Sequence, residues 1–146
     1  MTTLVGKQID FQEALYQLCE LEYDAKEAYQ AALLRLNNLY YKAQLNEFMK
    51  DHEHHIDMIT QLLKKHDCKI PSGPDLKQFL AQGKVLLGQL AGDEGILKAM
   101  LSNEEDTNVA YERLINHPAL WSDADPIIQR GLNDEKRHKS WMLANT

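Results

Sequence analysis

Apolar residues recur at alternating spacings of three and four along most of the chain, which is typical of helices that bury one face. No segment shows the strict alternation of apolar and polar residues that predicts strands. Only 7 glycines and 4 prolines occur among 146 residues, so long helices suit the composition. The sequence therefore predicts an all-α protein with four long helices, from about Asp10 to Leu36, Leu39 to His66, Asp93 to Asn116 and Ala124 to Leu143.

The connections between these helices differ in length. A short turn at "NN" follows the first helix, which predicts an antiparallel neighbour. The prolines of "DCKIPSGPD" end the second helix, and a shorter amphipathic segment follows, with Asp75 as its cap and with Gly83 and Gly88 as weak points. Ser122 and Asp123 are the cap candidates of the last helix. We expect one domain over residues 1–146, an antiparallel four-helix bundle with a long, partly helical crossover between helices two and three.

Each predicted helix has one apolar seam that ionisable side chains interrupt near its middle. The second helix carries His52 and His55 between Phe48 and Ile59 on its seam, whereas His54 falls on the polar side and should face water. The interruptions of the other three seams are Glu22, Glu104, and the pair Glu135 and His138. With a rise of about 1.5 Å per residue, all six lie at similar depth in their helices.

A weak internal repeat supports the same alignment. "ELEYDAKEAY" (20–29) superposes on "SNEEDTNVAY" (102–111), and "DHEHH" (51–55) superposes on "DEKRH" (134–138). The repeat pairs Glu22 with Glu104, and Tyr29 with Tyr111. The two helical hairpins therefore resemble two copies of one unit.

Three carboxylates inside an apolar bundle are unfavourable, because burial and mutual repulsion disfavour their charged form. No seam carries Lys or Arg at that depth, so a bound cation is the natural counter-charge. Imidazole and carboxylate together are ligands of iron, manganese and zinc. One seam Glu or one buried His is more often an ordinary core residue, but six in a layer favour a metal site. The predicted metal ligands are Glu22, His52, His55, Glu104, Glu135 and His138.

These residues resemble the ligand set of the ferritin-like superfamily, which includes bacterioferritin and rubrerythrin. In that family the four helices supply Glu, Glu-x-x-His, Glu and Glu-x-x-His in turn. Glu22, Glu104 and Glu135-x-x-His138 match this set, whereas His52-x-x-His55 replaces its first Glu-x-x-His. Tyr29 resembles the tyrosine that follows the first-helix Glu in bacterioferritin-type chains, and Asp51 and Asp134 resemble aspartates that orient histidine ligands. The likeness is nearest to small bacterial ferritin-like domain proteins of unknown function.

The resemblance implies a protein that binds one or two ions of iron or manganese, with zinc as an alternative. It further implies an oxidoreductase acting with oxygen or peroxide, in which Tyr29 is the catalytic residue that supplies an electron. A second hypothesis is a non-catalytic helical bundle, a structural or stress-response interaction protein that holds the same residues as a metal-free network. A third, a hydrolase with a metal-activated water, lacks any sequence sign of a substrate pocket.

Composition limits the partners. The formal net charge of −6 argues against nucleic acid, and no stretch is apolar enough for a membrane span or a signal peptide. Cys19 and Cys68 form no motif, so free thiols and a cytoplasmic location are the default expectation. We expect a metal ion as the partner, and a homodimer remains open.

Overall fold

The computed structural model describes residues 3–73 and 78–146, with the backbone alone over residues 78–82. The described residues are helical and contain no strand, which confirms the all-α prediction. Asp75, the predicted cap of the connecting helix, lies outside them. The helices are α1 (Phe11–Arg35), α2 (Leu39–Lys65), α3 (Gln78–Gly88), α4 (Gly92–Ile115) and α5 (Asp125–Asn145), with a single 3₁₀ turn (Gln89–Ala91) between α3 and α4.

The first two helices each begin at a residue whose side chain accepts hydrogen bonds from backbone N–H groups of the first turn. The carboxylate of Asp10 accepts from the backbone N–H of Gln12 (3.0 Å), and the side-chain oxygen of Asn38 accepts from Tyr40 (2.9 Å) and Tyr41 (3.1 Å). Each cap satisfies N–H groups that the first turn of a helix leaves without a partner.

The predicted cap of the last helix is wrong. Ala124 precedes α5 and makes no side-chain cap, while Asp123 pairs with Lys65 (3.0 Å) and His66 (2.9 Å) across the loop. Pro126 lies in the first turn of α5 and has no N–H, so one donor that a cap would satisfy does not exist there.

The four long helices pack around a common interior. α1 contacts α2 and α4 contacts α5 most extensively, α1 also packs on α4, and the contact between α2 and α5 is the smallest of these. The short α3 packs against α1 and α4. Asp93 in the first turn of α4 accepts the backbone N–H groups of Asn37 (2.9 Å) and Asn38 (2.8 Å), which fixes the α1–α2 turn against α4.

The connection from α3 to α4 requires glycine at two facing positions. A Cβ atom on Gly88 would lie 2.4 Å from the carbonyl oxygen of Gly95, and one on Gly95 would lie 2.1 Å from that of Gly88. Between them Gly92 has a φ of 74°, in the left-handed region that favours glycine. The chain therefore turns sharply here and brings α3 close to α4.

Two apolar cores fill the interior, one on each side of a polar layer. One contains Phe11, Leu15, Ile59, Leu114 and Ile128, and the other contains Leu36, Leu45, Leu97, Met100 and Met142. All the residues named above on the four predicted seams are buried and His54 is exposed, which confirms the helical registers. Cys19 and Cys68 are free thiols. None of the helices in the described part of the chain could cross a membrane.

Candidate metal centre

All six residues predicted as metal ligands lie in the polar layer between the two cores. Their side chains are between 0% and 4% exposed: Glu22, His52, His55, Glu104, Glu135 and His138. α1 and α4 each contribute one glutamate, while α2 and α5 contribute pairs spaced three residues apart. Residues at that spacing share one helix face, which is why each pair points inward together.

The six side chains form two groups of four with donor atoms close enough to bind an ion. One group is Glu22, His52, His55 and Glu135, and the other is His52, Glu104, Glu135 and His138. Within each group one ligand atom per residue lies within 4.8 Å of all the others. The groups share His52 and Glu135, so they are adjacent parts of one cluster.

In the first group, Glu22 contacts both histidines of α2. Its Oε2 lies 3.0 Å from Nδ1 of His52 and 3.1 Å from Nδ1 of His55. Oε1 of Glu135 faces the same two nitrogens at 3.4 Å and 3.3 Å. Two carboxylate oxygens and two imidazole nitrogens therefore converge from three helices.

In the second group, around Glu104, the ligand atoms lie farther apart than in the first. Nδ1 of His138 lies 3.6 Å from Oε1 of Glu104 and 3.6 Å from Oε2 of Glu135. Nε2 of His52 is 3.4 Å from Oε1 of Glu104. His52 therefore faces the first group with Nδ1 and the second with Nε2.

His55 and His138 each contact an aspartate through Nε2, and in each case the aspartate lies on the opposite helix. Nε2 of His55 on α2 lies 2.8 Å from Asp134 on α5, and Nε2 of His138 on α5 lies 2.8 Å from Asp51 on α2. Arg137 donates to both carboxylates, at 2.8 Å and 3.0 Å. A carboxylate on Nε2 favours a proton there, which leaves Nδ1 directed at the centre as a ligand atom.

Two polar residues of α4 that the sequence did not single out also support the cluster. The hydroxyl of Thr107 donates to Oε2 of Glu135 at 2.9 Å. The amide of Asn108 donates to the backbone oxygens of Glu104 (2.8 Å) and Glu135 (3.0 Å). These bonds fix α4 against α5 at the level of the polar layer. Thr107 lies on the buried face of α4, but its residue type alone gives no sign of such a role.

Without a metal ion, the imidazoles and carboxylates stabilise each other's charged forms. Burial alone would lower the pKa of each histidine, but the neighbouring carboxylates raise it to about 10 for His52, about 11 for His138 and about 12 for His55. Burial would raise the pKa of Glu22, yet His52 and His55 lower it to about 2. Burial raises the pKa of Glu135 even though His52 opposes the shift. Glu135 is therefore the carboxyl most easily protonated.

The two tyrosines related by the internal repeat differ in their hydrogen bonds. The hydroxyl of Tyr29 donates to Oε1 of Glu104, and its ring lies 5.0 Å from the ring of His52. The hydroxyl of Tyr111 is buried and has no hydrogen-bond partner in the described part of the chain. Burial, together with the nearby carboxylates, holds the pKa of both phenols well above its ordinary value, so both are protonated.

Several buried polar atoms of the cluster lack hydrogen bonds within the described residues. They are Oε1 of Glu22, Oε1 of Glu135 and Nδ1 of His138, all of which are ligand-type atoms. Buried polar atoms are rarely left unsatisfied in folded proteins, since desolvation without a partner is costly. The residues present therefore fit a bound cation.

Comparison of the chain with models of protein families, with curated proteins and with solved structures gave no significant match. The likeness to ferritin-like proteins thus depends on the residues of this chain alone.

Proposed function

We propose that the protein binds one or two metal ions in the polar layer, iron or manganese first and zinc as an alternative. The observation that carries the proposal is the pair of overlapping ligand groups, each with four carboxylate or imidazole atoms from three helices. Mixed oxygen and imidazole donors suit iron and manganese, which accept both. The aspartates behind His55 and His138 support it further, because histidine ligands commonly donate their second N–H to a carboxylate.

We further propose that the four long helices form an antiparallel, ferritin-like bundle. Only three residues separate α1 from α2, and such short connections join antiparallel neighbours. One apolar core combines Phe11 near the start of α1 with Leu63 near the end of α2, as antiparallel packing requires. The long segment between α2 and α4, which includes α3, fits a crossover.

Within this bundle, Glu22 and His55 would help to hold one ion and Glu104 and His138 the other, and both ligand groups include His52 and Glu135. Bound iron or manganese would supply one-electron chemistry towards oxygen or peroxide, which makes an oxidoreductase the proposed activity. Tyr29 is the proposed redox residue, since its hydroxyl donates to Glu104 and its ring lies beside His52. Burial and the nearby carboxylate of Glu104 raise the pKa of Tyr29, which keeps its hydroxyl protonated.

One observation favours the alternative of a metal-free, non-catalytic structural or stress-response bundle. The raised pKa values of His52, His55 and His138 give three imidazolium groups, which balance the charge of the three glutamates. A cluster of this kind can be stable without any ion, provided that its hydrogen bonds are satisfied.

Metal analysis and thermal unfolding separate the two proposals. A metal centre predicts about one or two ions of iron or manganese per chain. It also predicts a higher midpoint with added ion, because the ion binds only the folded state. At about 100 times Kd the gain is roughly 2.7 kcal/mol, or about 5–10 °C for a chain of this size. A persistently metal-free protein whose midpoint does not move with added ion or chelator would support the network instead.

A further inference from the structure

A cavity of about 250 Å³ opens between α2 and α5 beside the polar layer. Met58, Ile59 and Ile127 supply apolar walls, and His55 and Tyr111 belong to its lining as well. The contact between α2 and α5 is smaller than the contacts of the α1–α2, α4–α5 and α1–α4 pairs, which leaves room for such an opening. A volume just below the range of about 300–1,000 Å³ for ligand pockets suits a small molecule.

The internal repeat shows how the two halves of the bundle differ beside this cavity. Continued in the same register beyond residues 51–55 and 134–138, the repeat pairs Phe48 with Gly131 and Met58 with Trp141. In one half the ring of Phe48 lies 4.2 Å from the ring of His138, and the ring of Trp141 packs 5.7 Å from Phe48. In the other half a glycine and a methionine stand at these positions and both line the cavity. The ring of Phe48 thus covers His138, with Trp141 packed against Phe48, whereas His55 lines the cavity.

Gly131 also determines where Tyr111 lies. A Cβ atom at position 131 would come within 2.3 Å of Cε1 of Tyr111, so the ring packs directly on the backbone of α5. The Tyr111 hydroxyl has no hydrogen-bond partner among the residues described, whereas its counterpart Tyr29 donates to Glu104. Tyr111 therefore belongs to the lining of the cavity, and its hydroxyl is buried.

One cation lines the cavity where it meets solvent. Arg130 is exposed and forms no ion pair within the part of the chain that the structure describes. Arg130 thus places a positive charge at the cavity on a chain whose formal net charge is −6. An apolar cavity with one outer cation is complementary to a small molecule that has an apolar body and a single negative group.

We propose that this cavity binds a short-chain aliphatic carboxylate. The alkyl chain lies against Met58, Ile59 and Ile127, and the carboxylate lies at Arg130. Binding at this site does not require a metal ion, so the proposal can be tested independently of the proposed metal centre.

The proposal is tested by calorimetric titration with butanoate, hexanoate and octanoate. The full chain is used after metal and then chelator have been removed. Each buried methylene should tighten binding about fourfold until the cavity is full. Arg130→Gln should weaken hexanoate binding roughly two- to fivefold at low salt, because the guanidinium is exposed and screened. Lys139→Gln, which removes a cation of the same helix that lines a different groove, is the matched control and should change nothing.

Met58→Trp introduces the ring that the other half of the repeat carries, and it should abolish binding by filling the cavity. Ile127→Phe serves the same purpose if the tryptophan variant fails to fold. Hexanol binding as tightly as hexanoate would overturn the carboxylate assignment. Absence of saturable binding for all three acids, or loss of affinity in Lys139→Gln equal to that in Arg130→Gln, would overturn the site itself.

Discussion

Asp51 should be energetically coupled to His138 on the opposite helix, and only weakly to His55 on its own helix. The structure places the carboxylate of Asp51 2.8 Å from Nε2 of His138, while His55 is held by Asp134. His138 is fully buried and Asp51 is 30% exposed, so the bond is largely shielded from water. The crossed pairing is the least local feature of the site and therefore the most informative one to test.

The magnitude follows from the type of bond. A hydrogen bond to a charged group contributes about 1.5–3 kcal/mol. The double-mutant cycle of Asp51→Ala with His138→Ala should therefore give an interaction free energy in that range. Asp51 and His55 are four residues apart on one helix without a direct bond, so their cycle should give about 0.5 kcal/mol or less.

Urea unfolding of the metal-free protein and its single and double variants measures both cycles, with Asp134→Ala as the mirror test against His55 and His138. In the crossed pairs, Asp51 with His138 and Asp134 with His55, the double variant should lose less stability than the sum of the losses of its two single variants. In the pairs on one helix, the losses should simply add. Equal coupling of Asp51 to both histidines would refute the reasoning, because it would mean that the carboxylate acts on the layer as a whole.

Three further predictions concern the histidines of the layer. His54→Ala should leave metal content unchanged, whereas His55→Ala and His138→Ala should lower it; equal loss from all three by metal analysis would show the proposed ligands to be wrong. His52→Glu should raise metal content towards two ions and speed oxygen-dependent ferric absorbance, since a carboxylate can bridge two ions; slower oxidation would mean that His52 tunes a working site. Because the pKa of His52 is raised from 6.5 to about 10 in the metal-free fold, the stability it contributes is complete below pH 6.5 and is lost as pH rises towards 10. Urea unfolding with chelator should therefore show falling stability over that window, while the stabilisation by added metal grows as ligands lose protons; a flat profile would contradict the charged network.

The seams could be read from the sequence because helix periodicity is a local property. A residue's position within 3.6-residue turns fixes its face, whatever the neighbouring helices are. Phe48, His52, His55 and Ile59 are therefore buried as predicted, and His54 is exposed. The same local logic failed at the start of α5, where Asp123 is drawn to Lys65 and His66 across the loop. A residue's preference for a capping position is thus overridden when its side chain forms an ion pair with residues distant in sequence.

The sequence by itself determined the helices, their inward faces and the common depth of the six ionisable residues, all of which depend on spacing along one chain segment. Only the tertiary structure decided that Asp51 binds His138, that Asp134 binds His55, and that Tyr111 packs on Gly131 beside a cavity. Those outcomes depend on how far apart neighbouring helices lie and how each is rotated. Because many side chains together set these distances and rotations, no single local pattern encodes which partners meet.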